Sequence, residues 1–517
     1  MAEASSSSRL LGNSAWNAAA FVVGAGLNLL VLPFVVYRLG VAAFGMAGLV
    51  TACVAPALIF SNALALSAAR EFAQRLAADQ RGEARRFFAA AMLLALAIGG
   101  LIVIVLALAG PPLARLVFNF NGEAARDLHL AFIFGAGGWL CQCVSAVFLS
   151  LFTSRQDYAR ISSINMLGTI VTALAVLVLI PGRPLASTFL ACQASGFLAM
   201  LLAASALSRR FFSGWLAAPW FHRDPMSQLV RFGVWQVAAQ GGGLIAGQAD
   251  RYLLGALLPP QFVGFYVIAQ RLEEAIYIGI LKVGEILFPF FSVLQKEASD
   301  RKADLLFRSS WVLNLLAASA LGGLIPVAEP LLRLWTGAEV ATQAQQVLVV
   351  LSIAGILGCS VNVFAFYLLA NGRSRANAVI AMVTAVFTLS TSALALPYFG
   401  WQAAGWSACV GMLAQIVTTA LLLANTFDDT GVWSRVAHLV VAPLLTGIVT
   451  ALLLRHFMSE GLLDRVAHWW HVAVLYGFAA AIIFAAVVAA SQIGPYGRAC
   501  RRDLHAIAQR FSPVRAS

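Results

Sequence analysis

Within this 517-residue chain, the side chains best placed for chemistry sit on one largely apolar stretch, QRLEEAIYIGILKVGEILFPFF, residues 270–291. At roughly 100° per residue on an α-helix, Arg271, Glu274, Lys282 and Glu285 fall within an arc of about 80°. Ile278 shares that arc and Glu273 points the opposite way. Arginine and lysine on one face can hold an anion, and arginine can bond phosphate oxygens through two donors at once. The carboxylates can keep the empty site near neutrality or take up a cation. Asp250 and Arg251 precede the Pro259-Pro260 pair by about nine residues and Arg271 follows it by about eleven, so both sites lie roughly 13–17 Å from the same hairpin end. Asp250 with Arg271, and Arg251 with Glu274, are possible pairs. Static ion pairs locking a hairpin and a charged cavity lining are both open readings.

Two polar stripes accompany the charges. Asn13, Asn17, Gly24 and Asn28 share one helical face, and Gln236, Gln240, Gly247 and Arg251 share another. Gly241, Gly242 and Gly243 suggest a bend or a close backbone approach between Gln240 and Gly247. No strand or lysine accompanies them, which excludes a phosphate loop.

The elements that must position these residues are membrane helices. Hydrophobic residues make up 61% of the chain and charged residues 11%, against roughly a quarter charged in soluble proteins. Mean hydropathy is +0.85. About fourteen apolar stretches are long enough to span a bilayer, each needing about 20 residues. The expected class is an all-α polytopic membrane protein. Its expected parts are an N-terminus (1–13), a first six-helix bundle (14–207), a charged linker (208–228), a second six-helix bundle (229–424), two additional helices (425–490) and a basic tail (491–517).

With the N-terminus inside, 24 of the 34 lysines and arginines fall on the cytoplasmic side. That bias gives both termini to the cytoplasm. The net charge of +12 is then mostly topology; the basic residues are dispersed, which argues against nucleic acid as a partner. The basic segment 70–88 reads as an amphipathic stretch along the cytoplasmic surface, near anionic lipid. Trp16, Tyr37, Trp139, Trp235 and Tyr252 read as interfacial aromatics. The seven cysteines lack metal-site spacing, and no metal or cofactor is expected.

The chain also repeats. Gly45 in VAAFGMAGLV matches Gly264 in PQFVGFYVIA, and Arg155 in LFTSRQDYAR matches Arg373 in LLANGRSRAN, at offsets of 219 and 218. An even number of spans per half leaves the halves in the same orientation, related by an axis along the membrane normal, which is a transporter plan.

The run QADRYLLGALLPPQFVGFYVIAQRLEEAIYIGILKVGEILFPFFSVL resembles a signature of polysaccharide transporters through Asp250, Arg251, Gly255, Gly264, Tyr266, Pro289 and Ser292. NLLVLPFVVYRLGVAAFGMAGLV resembles their first hairpin. LLANGRSRANAVI and LPYFGWQAAGWSA, through Gly372, Gly400 and Gly405, resemble their later spans. The chain is thus similar, over roughly residues 10–425, to the polysaccharide branch of the multidrug/oligosaccharidyl-lipid/polysaccharide (MOP) exporters.

The resemblance implies two bundles in a V around a central cavity, alternating access, and no enzyme activity. It implies a bacterial inner-membrane flippase for undecaprenyl-pyrophosphate-linked oligosaccharide, serving O-antigen (lipopolysaccharide), capsule or exopolysaccharide synthesis. Polymerase and glycosyltransferase partners follow from the family. On this reading Arg251, Arg271 and Lys282 offset pyrophosphate charge, and Asn13, Asn17, Asn28, Gln236 and Gln240 bond sugar hydroxyls. Asp250, Glu274 and Glu285 balance the cavity or couple it to a proton or sodium gradient.

A lipid II flippase ranks second, because that branch carries arginines in its first spans where this chain has asparagines until Arg38. The superfamily's cation-coupled drug antiporters usually have twelve spans. A membrane glycosyltransferase or polymerase ranks last, since the longest outer loop, about 110–127, offers only Glu123 and Asp127 as acids. A non-transporting scaffold is the remaining class.

Overall fold

With no water in hydrocarbon to satisfy the peptide groups, each apolar run closes its own backbone hydrogen bonds and becomes a helix. The computed structural model describes residues 2–118, 120–209, 223–285, 299–371, 373–427, 431–459, 466, 468–493 and 495–502. Side chains are described for fewer of them, with 1–19, 232–236, 238–246 and 285 among the exceptions. Most of the linker and the end of the basic tail therefore lie outside the described residues.

Helices α1 (Ala2–Leu39), α2 (Val41–Ala77), α3 (Arg81–Pro112), α4 (Gly122–Thr153), α5 (Tyr158–Leu179) and α6 (Ala186–Ser208) come first; α3 ends in a π-helical turn, Leu113–Val117. Then follow α7 (Arg223–Leu257), α8 (Pro260–Glu285), α9 (Ser299–Thr336), α10 (Ala338–Ala370), α11 (Ser374–Phe399) and α12 (Ala403–Phe427). Helix α13 (Val432–Arg435) runs through a π-helical segment, Val436–Val441, into α14 (Ala442–Ser459), and α15 is Trp469–Ile493. Among the described residues there is no strand. The chain is an all-α polytopic membrane protein. Twelve segments are long and apolar enough to cross a membrane by length and composition. Helices α7 and α8, of 35 and 26 residues, are the two further long helices and carry Asp250, Arg251, Arg271 and Lys282. Helix α7 is continuous through the three consecutive glycines.

Glycine makes two of the tight turns between helices. Gly40, between α1 and α2, has φ +81, and Gly337, between α9 and α10, has φ +102. A single residue in that left-handed region reverses the chain without a longer loop.

Packing divides the chain into two units, Met1–Gly264 and Phe265–Ser517. The division falls inside α8, so α7 and the first turn of α8 pack with the first unit. In that unit α4 packs against α2, α3 and α6, α5 against α1 and α6, and α2 also lies along α7. Phe72, Phe87, Phe148, Phe152 and Trp139 are fully buried there.

The basic segment 70–88 is not a separate surface helix. Helix α2 continues through it to Ala77 and α3 starts at Arg81, with Asp79 at φ +53 in the turn. Phe72, Phe87 and Phe88 are buried, and their burial outweighs the pull of the arginines toward a headgroup layer. Arg75 stays by stacking on the Phe87 ring, 3.6 Å from its centroid, and by pairing with Glu71. Trp139 is likewise a core residue at 1% exposure, not an interfacial one.

In the second unit α9 packs against α10, α14 and α15, and α10 against α12. In the most apolar 18-residue windows of α9 and α10, 83% and 89% of residues are buried, so these two are wrapped by their neighbours. The additional helices dock on α9. The Trp311 indole donates to Ser491 Oγ at 2.9 Å, and the Tyr476 hydroxyl donates to the Ala320 carbonyl at 3.1 Å.

The repeat is visible in packing detail. Helices α5 and α6 cross where a Cβ at Gly196 would meet the Gly168 carbonyl at 2.6 Å and overlap Thr172 Oγ1. Helices α11 and α12 cross where a Cβ at Gly411 would overlap Thr388 Oγ1 and lie 3.3 Å from the Thr384 carbonyl. The three pairs Gly168/Thr384, Thr172/Thr388 and Gly196/Gly411 are each 215 or 216 residues apart.

Helix α6 starts after Leu185, which supplies no side-chain cap. Buried Asp127 of α4 does this instead, accepting from the Ala186 N–H at 2.9 Å and the Ser187 N–H at 3.0 Å. A carboxylate there also complements the positive end of the helix dipole. Asp127→Ala is expected to cost about 2 kcal/mol, read as a fall in Tm of the purified protein in detergent; Asp127→Asn is expected to lose less.

Candidate functional site: the charged faces of helices α7 and α8

Helix α8 has two polar faces. On the first, Arg271, Ile278 and Lys282 are exposed and Glu274 is partly so. Arg271 and Glu274 pair at 3.6 Å, three residues apart on the same helix. A membrane helix does not present such a stripe to acyl chains, since charges at that depth face protein or a water-filled space. The side chain of Glu285 lies outside the described residues.

The second face is buried. Glu273, at 8% exposure, lies against the bare backbone of Gly355 on α10, where an added Cβ would come within 3.3 Å of its carboxyl carbon. One turn on, the Asn362 amide of α10 donates to the Tyr277 hydroxyl at 3.2 Å. A Cβ at Gly358 would be 3.7 Å from the Tyr277 ring. Two glycines and an asparagine on α10 thus make room for an acid and a phenol on α8. Angular arithmetic separates Glu273 from the charged stripe, but its partner stands some eighty residues on. Asn362, a lone amide in the apolar stretch LSIAGILGCSVNVFAFYLLA, is the sequence signal for that contact.

In the first unit, Asp250 and Arg251 of α7 are buried at 8% and 3% exposure. Arg251 donates to Gln248 Oε1 at 2.9 Å. The neighbouring Tyr252 hydroxyl donates to the Ala52 carbonyl on α2 at 2.5 Å, which makes it a packing residue instead of an interfacial one. Asn28 of α1 is exposed and its amide donates to the Gly24 carbonyl of its own helix at 2.9 Å. Asn13, Asn17, Gln236 and Gln240 lie on α1 and α7, with side chains outside the described residues. The structure therefore brings Arg271, Glu274 and Lys282 onto one open face and places Asp250 and Arg251 in the packed interior of the first unit.

Solved structures share the fold of this helical membrane protein. A structure described as "Lipid II flippase MurJ, inward closed conformation" aligns with a TM-score of 0.72 at 10% identity, covering 92% of this chain and 98% of that one. An inward-facing multidrug resistance MATE family transporter of the MOP superfamily aligns at 0.63 and 15% identity, covering 81% and 96%. A MOP superfamily transporter from Pyrococcus furiosus aligns at 0.59 and 14% identity, covering 81% and 96%. Comparison with curated proteins finds no match. The chain belongs to the family described as "Polysaccharide biosynthesis protein", which matches residues 10–295. The resemblance carried by the motifs within residues 10–295 therefore holds.

The α8–α10 contact makes a direct prediction. Gly355→Ala is expected to destabilise the protein by about 1–3 kcal/mol through overpacking against the Glu273 carboxyl. With Glu273→Ala in the same chain, the two effects should be non-additive by about 1 kcal/mol, measured as a double-mutant cycle on unfolding in detergent.

Proposed function

We propose that the protein is a flippase that moves undecaprenyl-pyrophosphate-linked oligosaccharide across the bacterial inner membrane by alternating access, for O-antigen, capsule or exopolysaccharide synthesis. The observation that carries this reading is the open basic stripe of α8, Arg271 and Lys282 with Glu274 alongside, in a chain of the polysaccharide biosynthesis family. A pyrophosphate bearing a glycan cannot enter hydrocarbon unaided. Two cations on one face offset its charge, and the Arg271 guanidinium adds paired donors for phosphate oxygens. Glu274 holds Arg271 in place while the site is empty and yields it to the phosphate. Arg251, packed in the first unit, supports α7 in this scheme and leaves the headgroup to Arg271 and Lys282. The lipid tail stays in the bilayer throughout. The work is translocation, with no bond made or broken.

A second reading, lipid II as cargo, is favoured by the likeness to the MurJ structure, which spans 92% of the chain. Both cargoes present a pyrophosphate on a polyprenyl tail, so the stripe serves either.

Cells lacking the protein are expected to accumulate undecaprenyl-linked oligosaccharide that the outer-leaflet polymerase does not extend. Wild type should restore extension, whereas Arg271→Ala, made at equal abundance, should restore at most about a tenth of the rate, the loss expected when one charged phosphate contact is removed. Normal polymer with accumulated lipid II would move the assignment to the second reading. Normal export with neither lipid accumulating would refute both.

A Lys282→Gln variant separates charge from shape. It should slow extension about as much as Arg271→Ala if net charge is what the headgroup reads. Lys282→Arg should keep most of the rate in the same extension assay.

A further inference from the structure

Arg271 and Lys282 share the open face of α8 but stand at different depths. They are eleven residues apart on one continuous helix, which turns them to within about 20° of each other and sets them about 17 Å apart along the axis. Both side chains lean toward the helix N-terminus, so their heads keep that separation. A charge-assisted hydrogen bond reaches only about 3 Å. One pyrophosphate therefore cannot bond both heads at once.

Depth follows from the same arithmetic. Counted from Pro260, on the outer side by the loop-charge bias, Arg271 lies about 17 Å in and Lys282 about 33 Å in. Against a hydrocarbon core about 30 Å thick, Arg271 is near the midplane and Lys282 is level with the inner headgroups. The residue types suit those depths. Arginine keeps its charge away from water and offers a fixed pair of donors, whereas the long stem of lysine lets its ammonium reach the interface.

Helix α8 cannot bend to bring the two heads together, because its other face is pinned along this whole stretch. Glu273 lies against Gly355 of α10, and Tyr277 against Gly358 and Asn362. A Cβ at Gly284 would come 3.2 Å from the Phe366 ring of α10 and 3.0 Å from Leu313 of α9. Gly355, Gly358, Asn362 and Phe366 succeed one another at spacings of three and four residues, so they form one ridge of α10. All these contacts lie within the second unit. On the open face between the two cations stands Ile278, 37% exposed and uncharged. An anion that uses both cations must travel from one to the other.

We propose that Lys282 and Arg271 are successive stations for the pyrophosphate. Lys282 captures it at the inner headgroup level, and Arg271 holds it at mid-membrane once it has displaced Glu274, which pairs with Arg271 at 3.6 Å in the empty site. The inference rests on the flippase reading for its ligand, and on helix length and packing for the spacing of the stations. In cells at one cargo level both variants slow extension; varying the cargo separates the steps.

The test measures translocation in proteoliposomes against the content of undecaprenyl-pyrophosphate-linked oligosaccharide, with each variant at equal abundance and matched Tm. Capture and transfer are different steps, so each variant should alter its own parameter. Lys282→Gln should raise the half-saturating cargo content several-fold while the maximal rate changes far less. Arg271→Ala should lower the maximal rate about tenfold with little change in half-saturation. Lys282→Arg and Arg271→Lys, which keep the charge, should each restore much of the parameter that its own position controls. The double variant should multiply the two losses at low cargo, as expected of separate sites. Both variants shifting the same parameter, or losses that fail to multiply, would mean one shared site and overturn the stations. Lipid II in the same vesicles keeps the two readings apart, since the stations meet only the pyrophosphate. If wild type moves neither lipid, the flippase reading fails and takes the stations with it. If wild type moves either lipid while the two variants behave alike, the stations alone fail.

Discussion

In hydrocarbon, two helices gain nothing by hiding apolar side chains from one another, because the lipid is as apolar as they are. Their association depends on close approach, where dispersion and short backbone contacts accumulate over small residues. Most of this architecture follows from that constraint. Gly168 and Gly196 let α5 and α6 touch, and Gly411 does the same for α11 and α12. Gly447 of α14 sits over Ala318 of α9, where a Cβ would lie 2.6 Å from the alanine methyl carbon. Gly45 and Gly264 bring α2 against the first turn of α8. Larger side chains fill the space away from these points, as Phe88 does beside Phe148, with ring centroids 5.4 Å apart.

Helix α8 shows how the same constraint treats polar groups. Charge is tolerated on a spanning helix only if it faces water or a partner, and α8 uses both solutions on different faces. Arg271 and Lys282 stand open, whereas Glu273 and Tyr277 are received by the small residues of α10. Only the open face is free of a packed neighbouring helix. The buried one sets the rotation of α8 about its own axis, and through that rotation it fixes where the open stripe points.

Helix existence, the all-α class and the charged stripe of α8 are legible in the sequence, because hydropathy and the helical repeat are local properties. What the sequence hides are contacts between residues far apart in the chain. Asp127 is an ordinary loop-end acid until α6 is seen to start on top of it. Gly45 and Gly264 are recognisable as repeat counterparts, yet nothing in the sequence says that each packs against the other's segment. Residues 70–88 read as a surface helix because five arginines outnumber the aromatics. The fold follows Phe72, Phe87 and Phe88 instead, since three buried rings outweigh charges that can reach water from a helix end. Helical angle alone also cannot tell an open face from one covered by another helix, as at buried Arg251.

The wrapping of α9 bears on how the protein is made. Its Trp311 is finished only by Ser491, 180 residues later, and Tyr476 closes on Ala320 from a similar distance. During synthesis α9 therefore waits in the bilayer with the Trp311 indole N–H lacking its Ser491 partner until almost the whole chain has been inserted. Assembly of the second unit is bound to its last helix, and a ribosome that stops short of α15 leaves behind an unfinished protein with α9 exposed, a natural substrate for membrane quality control.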